Sequence, residues 1–529
     1  MKANSLFFPV AIIISSSTLS FAQNPSKTIV VGSGPGGTGF IKRAIQHASC
    51  EDNFEWFEEG GDDVVLDWPG GYNTPGSERY IKLIDRKAGQ VGESLKAIRF
   101  TAFGGGAVMN SGGPLTLMDS DDERIQSAVD QHGSSFLAEE LQSQSRVVDE
   151  ASDRLIKWYN DAGYEVESNF LTTRKAGQGN RVGYGASTIS GGARTQIAKT
   201  LVNDNPNRIN LHLRTRVKRV VFGPARKAIG IELMNGTMVK GDRVVLAGGV
   251  FGTYELLVRS GIGSKEDLET VGVDEIVTDE SVGKNIGDDS GIVFFHGDDG
   301  RETHASDGTW QPGVVASRGN QFGITHWGKL VFDWLLLETD YRTSNSSAYE
   351  FLRLVAENTS VTKIALPATY DSSVAIQDDG TLAYDDSKNY REEICVNEAE
   401  FKVLNRTSAP DPLITGLAAL MGMAHSTPDK KCSSGLLFST YHYHGGSQGV
   451  TNSDFSVKGT QNLYISDASV TDKYSYGAPT TNVYMIGYAA ADAVYHTTSS
   501  VPLPHSGSLQ HYLKTSWVMF FAVPLWHFL

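Results

Sequence analysis

The sequence predicts an α/β protein, and three observations carry that expectation. Thr28-Ile29-Val30-Val31 runs into a glycine-rich turn, and an amphipathic stretch with Phe40, Ile41, Ala44 and Ile45 follows. Phe54-Glu55-Trp56-Phe57 then reads as a second strand ending on Glu58. The third is length: 529 residues, 40% hydrophobic and 20% charged, make an ordinary globular composition with room for two or three domains. Short β-branched and aromatic runs favour strands, and helical spacing of apolar residues favours helices, so the opening reads as strand, turn, helix, strand.

The turn is Gly32-Ser33-Gly34-Pro35-Gly36-Gly37, a Gly-x-Gly-x-x-Gly pattern. Such a turn is tight, lets backbone approach a pyrophosphate and lets the helix lie close to the strand. The helix start adds unpaired N–H groups and the positive end of its dipole. Glu58 lies 21 residues beyond Gly37, where a carboxylate can bind a ribose. An acid there favours a free 2′-hydroxyl, hence FAD or NAD over NADP.

Net charge is −15 and no Lys/Arg block occurs, which argues against a nucleic-acid partner. Lys2, the apolar run from Leu6 to Ile14 and Ser20-Phe21-Ala22 predict a secretory signal peptide cleaved after Ala22. The apolar run is too short to span a bilayer of about 30 Å. Of three cysteines, Cys395 and Cys432 could close a loop after export, and Cys50 is expected as a buried free thiol. Sequons at Asn235, Asn345, Asn358 and Asn405 permit glycosylation on a secretory route. At the other end, Ser506-Gly507-Ser508, a polar spacer and the apolar Trp517 to Leu529 resemble a lipid-anchor signal; a packed or frayed tail is the competing reading.

After the second strand, Asp62 to Arg79 is polar and rich in Gly and Pro, as in an excursion or lid. Next comes Arg99-Phe-Thr-Ala-Phe103-Gly104-Gly105-Gly106-Ala107-Val108-Met109-Asn110, with three consecutive glycines where backbone must lie against something flat or charged. With the first fingerprint, this run is similar to the glucose-methanol-choline (GMC) family of FAD oxidoreductases, whose members carry a Gly-Gly-small-small-x-x-Asn segment against the flavin. Asn110 falls on the family's Asn. No His stands there, so the resemblance implies a flavin not covalently attached by that route.

Asp121 to Gly163 has a helical pattern through Leu137, Leu141, Val147, Val148 and Leu155. Arg194 to Ala198 resembles the start of the family's helix returning to the flavin domain, and Ile209 to Phe222 alternates as strands do. Within it, Arg214, Arg216, Lys218 and Arg219 read as a solvated strand face. Arg243 to Gly263 resembles the family's second signature, with Tyr254 where a Pro is usual. Val282-Gly283-Lys284-Asn285-Ile286-Gly287-Asp288-Asp289 is similar to its Val-Gly-x-Asn-Leu-x-Asp-His, with Asp289 replacing His. From about Gly291 to Lys431 strong motifs stop. Gly291 to Phe295 and Leu330 to Glu338 alternate as in an antiparallel sheet, no metal-ligand spacing appears, and His425 is isolated.

Ser439-Thr440-Tyr441-His442-Tyr443-His444-Gly445-Gly446 sits where most members have His-Pro-x-Gly-Thr, and is similar to the family's plant branch, which includes hydroxynitrile lyases. Asn462 to Val470 resembles the Leu-x-Val-x-Asp-Ala-Ser-Val strand, whose Asp-Ala lies at the flavin. In an extended segment His442 and His444 point one way and the tyrosines the other. Alcohol oxidation needs a base with a pKa near ambient pH beside the hydroxyl, while hydride leaves for flavin N5. If Pro479 is the family's proline, the partner position holds Ala478, and Asn482 could supply the amide instead, with Thr480 and Thr481 competing.

The resemblance therefore implies a Rossmann-like FAD-binding domain built from 23–120, 194–290 and 435–498, after a signal peptide at 1–22. An α+β substrate-binding domain with an antiparallel sheet would comprise 121–193 and 291–434, and 499–529 would be a tail. FAD is the expected cofactor, with Gly32, Gly34, Gly37 and Glu58 at its ADP end and Gly104, Gly105, Asn110, Asp467 and Ala468 at its flavin end. His442 and Asn482 are the expected catalytic residues, and no metal is expected. The expected reaction is oxidation of an alcohol with oxygen or another electron acceptor, by a secreted protein anchored to a membrane only if the tail is a lipid signal. A hydroxynitrile lyase-like enzyme and an inactive secreted flavin-binding paralogue are the alternatives.

Overall fold

A computed structural model of the chain describes residues 26–63, 80–88, 96–109, 117, 120–139, 150–167, 179–184, 189–190, 193–297, 312–318, 322–327, 359–387, 393–395, 432–434, 438–439, 441–471 and 479–496. One layer is a parallel sheet. Its strands are β1 (Lys27–Val31), β2 (Asn53–Phe57), β3 (Ile209–His212), β4 (Arg243–Leu246) and β5 (Leu463–Ile465), in the order β5-β4-β1-β2-β3. Ile29, Val30, Phe54, Trp56, Val244, Val245, Leu246, Leu463 and Ile465 are completely buried, as expected of a parallel sheet covered on both faces. Each such side chain contributes about 1.5–3 kcal/mol of transfer free energy.

Three helices belong to this layer: α1 (Pro35–His47), α2 (Gly249–Arg259) and α3 (Thr480–His496). Pro35 at the first turn of α1 suits a position with no intrahelical donor to lose. α1 lies along α3, with Phe40 against the Tyr495 ring at 6.3 Å and the Arg43 guanidinium on Asp492 at 2.6 Å. Thr28 in β1 and the Tyr495 hydroxyl, 467 residues apart, are 3.0 Å from each other. The sheet thus joins segments from widely separated parts of the chain.

The second layer is an 11-stranded, mostly antiparallel sheet among the described residues. Its path runs Lys96–Phe100, Ile81–Ala88, Leu382–Asp386, Thr359–Ile376, Phe322–Trp327, Pro312–Arg318, Asn180–Tyr184 and Glu165–Val166. The strand Ile286–Gly297 lies against Thr359–Ile376 and also pairs with Phe438–Ser439 and His444–Gly445. Leu155, Ile156, Tyr159, Tyr164, Val182, Val314 and Ala316 form a core of their own. Helical segments at Glu123–Ala128, Ser134–Glu139 and Glu150–Asp161 match the expected helical region, which stops at Gly163.

Two expectations need correction. Cys50 is exposed, because it falls in the turn between α1 and β2, outside the face that either element buries. Arg216 is not simply solvated: it donates to Glu255 at 2.7 Å and lies 3.3 Å from Glu59, within a shared ion network, while Lys218 and Arg219 both meet Glu232. Cys395 lies directly opposite Cys432 in the register of Glu393–Cys395 with Cys432–Ser434. The expected signal peptide, Leu330 to Glu338, His425, the sequons at Asn345, Asn358 and Asn405 and the expected C-terminal tail lie outside the described residues.

Candidate functional site

Ligands of open α/β sheets sit beyond the carboxyl ends of the strands, where connections diverge to either side. Here that place lies between β1 and β4. The turn after β1 passes the turn after β4 so closely that a Cβ on Gly32 would lie 2.1 Å from the Ala247 carbonyl oxygen, and Gly32 has φ +105°. Only glycine satisfies both conditions at once. α1 then starts at Gly34 with no side-chain cap and no acid in its first turn, and α2 starts at Gly248 likewise. α1 therefore directs an uncapped helix start toward the crevice, whereas the first N–H groups of α2 are taken by the Thr253 hydroxyl and the Asp467 carboxylate.

The crevice also has room. A Cβ built on Gly34 would meet only the Gly105 Cα within 4 Å, at 4.0 Å, and one on Gly249 would meet nothing in that range. Gly105 closes the cradle from the other side. With φ +55°, it brings its own Cβ position to 2.7 Å from the Gly34 Cα. Two glycine turns, more than sixty residues apart in sequence, thus touch back to back.

Ser33 ties these pieces together. Its backbone N–H and its hydroxyl donate to Glu58 Oε2 at 3.0 and 2.6 Å, and its hydroxyl accepts from the Gly104 N–H at 3.0 Å. Glu58 Oε1 accepts from the Gly60 N–H at 2.8 Å. Burial pushes the Glu58 carboxyl above the ordinary range, against the pull of these donors and of Arg99. An anion so placed gains from any further hydroxyl donor.

On the β5 side, Asp467 is 3% exposed and bridges to α2. Its Oδ2 accepts from the Gly249 N–H at 2.9 Å and from the Thr253 hydroxyl at 2.5 Å, and its Oδ1 accepts from the Ser469 N–H at 2.9 Å. Burial raises its carboxyl too, the same hydrogen bonds opposing the rise. Ala468 begins the short turn Ala468–Val470 that Asp467 caps.

The His442 segment is fixed to this turn and to the second sheet. The Ser447 N–H donates to the Ser469 carbonyl at 2.8 Å, and His444 pairs with Gly287. The His442 N–H donates to Asp288 Oδ1 at 2.9 Å, and His444 Nδ1 lies 2.8 Å from the His442 carbonyl oxygen. A carbonyl only accepts, so Nδ1 carries the proton in His444. His444 is completely buried and His442 half-buried.

Of the residues singled out in the sequence, Gly32, Gly34, Gly37, Glu58, Gly104 and Gly105 form one continuous cradle, and Asp467 with Ala468 closes it at α2. Asn482 is completely buried in the first turn of α3. Asn110 and Ala478 lie outside the described residues. Ser33, Gly249 and Thr253 were not foreseen. Ser33 occupies the variable place of Gly-x-Gly, and its signal would have been a small hydroxyl residue preceding a distant buried acid.

Comparison with known proteins decides what this architecture belongs to. A family model described as GMC oxidoreductase matches residues 86–290, and its C-terminal counterpart matches residues 419–487. The chain belongs to the GMC oxidoreductase family. A pyranose dehydrogenase of Agaricus campestris is 25% identical over 376 residues, covering 60% of this chain and 63% of that protein. An ecdysone oxidase of Bombyx mori is 34% identical over 137 residues, covering 24% and 20%. The chain thus matches less than two thirds of the length of these curated relatives. Among solved structures, a formate oxidase of Aspergillus oryzae superimposes with TM-score 0.62 at 15% identity, covering 90% of this chain and 99% of that one. That likeness supports the α/β fold.

FAD is the cofactor of this GMC oxidoreductase. The residues present fit it: the uncapped start of α1 for a pyrophosphate, a buried acid beside β2 for a ribose, and glycine backbone where an added side chain would close the crevice.

Proposed function

We propose that this GMC oxidoreductase oxidises an alcohol to an aldehyde or ketone, with oxygen or another electron acceptor completing the cycle. Bound FAD would supply the hydride acceptor. His442 takes the hydroxyl proton, and Asn482 supplies an amide toward the developing alkoxide. Gly32, Gly34, Gly37 and Glu58 hold the ADP end; Gly104, Gly105, Asn110, Asp467 and Ala468 hold the flavin end.

The observation that carries this reading is the fixation of His442. Its N–H and carbonyl are both engaged, at 2.9 and 2.8 Å, so the backbone that presents this half-buried histidine is held in place. A positioned base of this kind contributes about 10²–10⁴-fold to rate. The relative named a pyranose dehydrogenase supports an alcohol substrate, since pyranoses carry several secondary alcohols.

The test is anaerobic mixing of the FAD-loaded protein with a panel of primary and secondary alcohols. Bleaching of the flavin by an alcohol is the expected result. Cyanide release from a cyanohydrin without bleaching would replace this reading with a lyase, to which the His-Tyr-His-Gly-Gly run is suited. No response to either would favour a flavin-binding protein without catalysis. We further propose export on a secretory route, with the tail as an anchor only if it is processed as a lipid signal.

A further inference from the structure

His442 lies in a segment that three independent contacts hold. Its own N–H is taken by Asp288, its carbonyl by His444 Nδ1, and its neighbour Tyr443 is seated between aromatic rings. Tyr443 meets Phe251 of α2 edge-on at 4.8 Å and Tyr384 of the second sheet at 5.5 Å, and Phe251 and Tyr384 meet each other at 5.5 Å. Tyr441, on the other side of His442, has φ +59°, a conformation that costs a bulky residue energy and persists only under such constraint.

Asp288 is the polar member of this clamp. It is 4% exposed, on the strand Ile286–Gly297, between Thr359–Ile376 on one side and the His442 segment on the other. The register of that strand shifts on both sides of Asp288, and such an irregularity re-aims a side chain. Beyond it stands Tyr384, whose hydroxyl is raised by burial and then by the charges of Asp288 and Asp386. Asp386 in turn holds the buried Arg86 guanidinium at 2.5 Å. Arg86 lies on the strand Ile81–Ala88, so this ion pair ties that strand to Leu382–Asp386, which carries Tyr384 against Tyr443.

We propose that Asp288 is a positioning residue for His442: its carboxylate anchors the His442 amide and thereby sets where the imidazole stands. This rests on His442 being the base. A carboxylate is used because a charge-assisted bond to an amide is roughly twice as strong as a neutral one. Loss of the acceptor frees the backbone at the reacting group, where a displacement near 1 Å costs about 10²-fold in rate.

The test compares Asp288→Asn, which keeps an oxygen for the amide, with Asp288→Leu, which removes it. Amide hydrogen exchange at His442, FAD affinity of the apoprotein and the rate of anaerobic flavin reduction are all measured. The expected result for Asp288→Leu is fast exchange at His442 and about 10²-fold slower reduction with unchanged FAD affinity. Asp288→Asn should keep protection and most of the rate. Full protection and full rate in Asp288→Leu overturn the proposal, as does an Asp288→Asn variant as slow as Asp288→Leu. If Asp288→Leu does not fold, Asp288→Ala takes its place, and wild-type protein whose His442 amide exchanges freely overturns the proposal without any variant. A His442→Ala control separates the two ideas: wild-type reduction in that control removes His442 as the base, whereas the exchange measurement still judges the hold of Asp288 on its backbone.

Discussion

Ser33 Oγ lies 2.6 Å from Glu58 Oε2 and accepts the Gly104 N–H at 3.0 Å, so one hydroxyl joins both ends of the proposed FAD cradle. Ser33→Ala should leave a buried amide and a buried carboxylate each short of a partner, at a cost of about 1–3 kcal/mol. Part of that cost falls on the geometry of the Gly104 turn. FAD affinity of the apoprotein, followed by quenching of flavin fluorescence, should drop about tenfold. Unchanged affinity would show that the two turns hold their places without the serine.

Removing the base should separate binding from chemistry. His442→Ala is expected to bind FAD normally, since Ser33, Glu58 and the glycine turns are untouched, and to be reduced about 10²–10⁴-fold more slowly by an active alcohol. Stopped-flow absorbance under argon reads both. Wild-type reduction would transfer the role of base to another group.

The ion network around Arg99 makes a prediction in pH. Arg99 donates to Glu255 at 3.0 Å and to Glu59 at 2.9 Å. Burial opposes ionisation of both acids, but Arg99 and Arg216, with Arg259 beside Glu255 and Lys82 beside Glu59, outweigh it and hold both carboxyls below their ordinary value of 4.5. Depressed acids contribute stability above that value and lose it as pH falls through their folded pKa values. Arg99→Met should therefore cost roughly 2 kcal/mol at neutral pH, with the difference in Tm from wild type narrowing below about pH 4.5 as the carboxylates protonate. A difference independent of pH would assign the loss to the packing of the arginine stem.

Export can be tested on one residue. Asn235 is exposed in the turn between Ala228–Leu233 and Met238–Lys240, where its side-chain oxygen accepts the Thr237 N–H at 3.0 Å. Exposed Met234 and Met238 flank it. Protein from a secreting eukaryotic cell should carry a glycan there, detected by mass spectrometry of the peptide before and after enzymatic deglycosylation, and Asn235→Gln should remove it. An unmodified Asn235 in secreted material would count against glycosylation at this turn.

The legible parts of the molecule are those where local backbone demands choose the residue. Gly32 and Gly105 announce themselves because positive φ and close approach leave no other residue type. The helical stop at Gly163 is of the same kind. The bond between Asp288 and the amide of His442 joins residues 154 apart, and no local propensity encodes it. Arg216 was misjudged for a related reason. A lone strand looks solvated until Glu255, on a distant helix, arrives beside it. Cys50 shows the opposite error, an apolar habit assumed for a residue that the turn places outside.

The contact between Thr28 and Tyr495 has a bearing on biosynthesis. With 467 residues between them, a ribosome adding 5–20 residues per second makes the second partner roughly 25–90 s after the first. During that interval β1 and α1 lack α3, and the emerging chain exposes an apolar sheet edge that only the last-made segments cover. Assembly of the nucleotide cradle therefore waits until the segments that carry Asp467 and Tyr495 have been made.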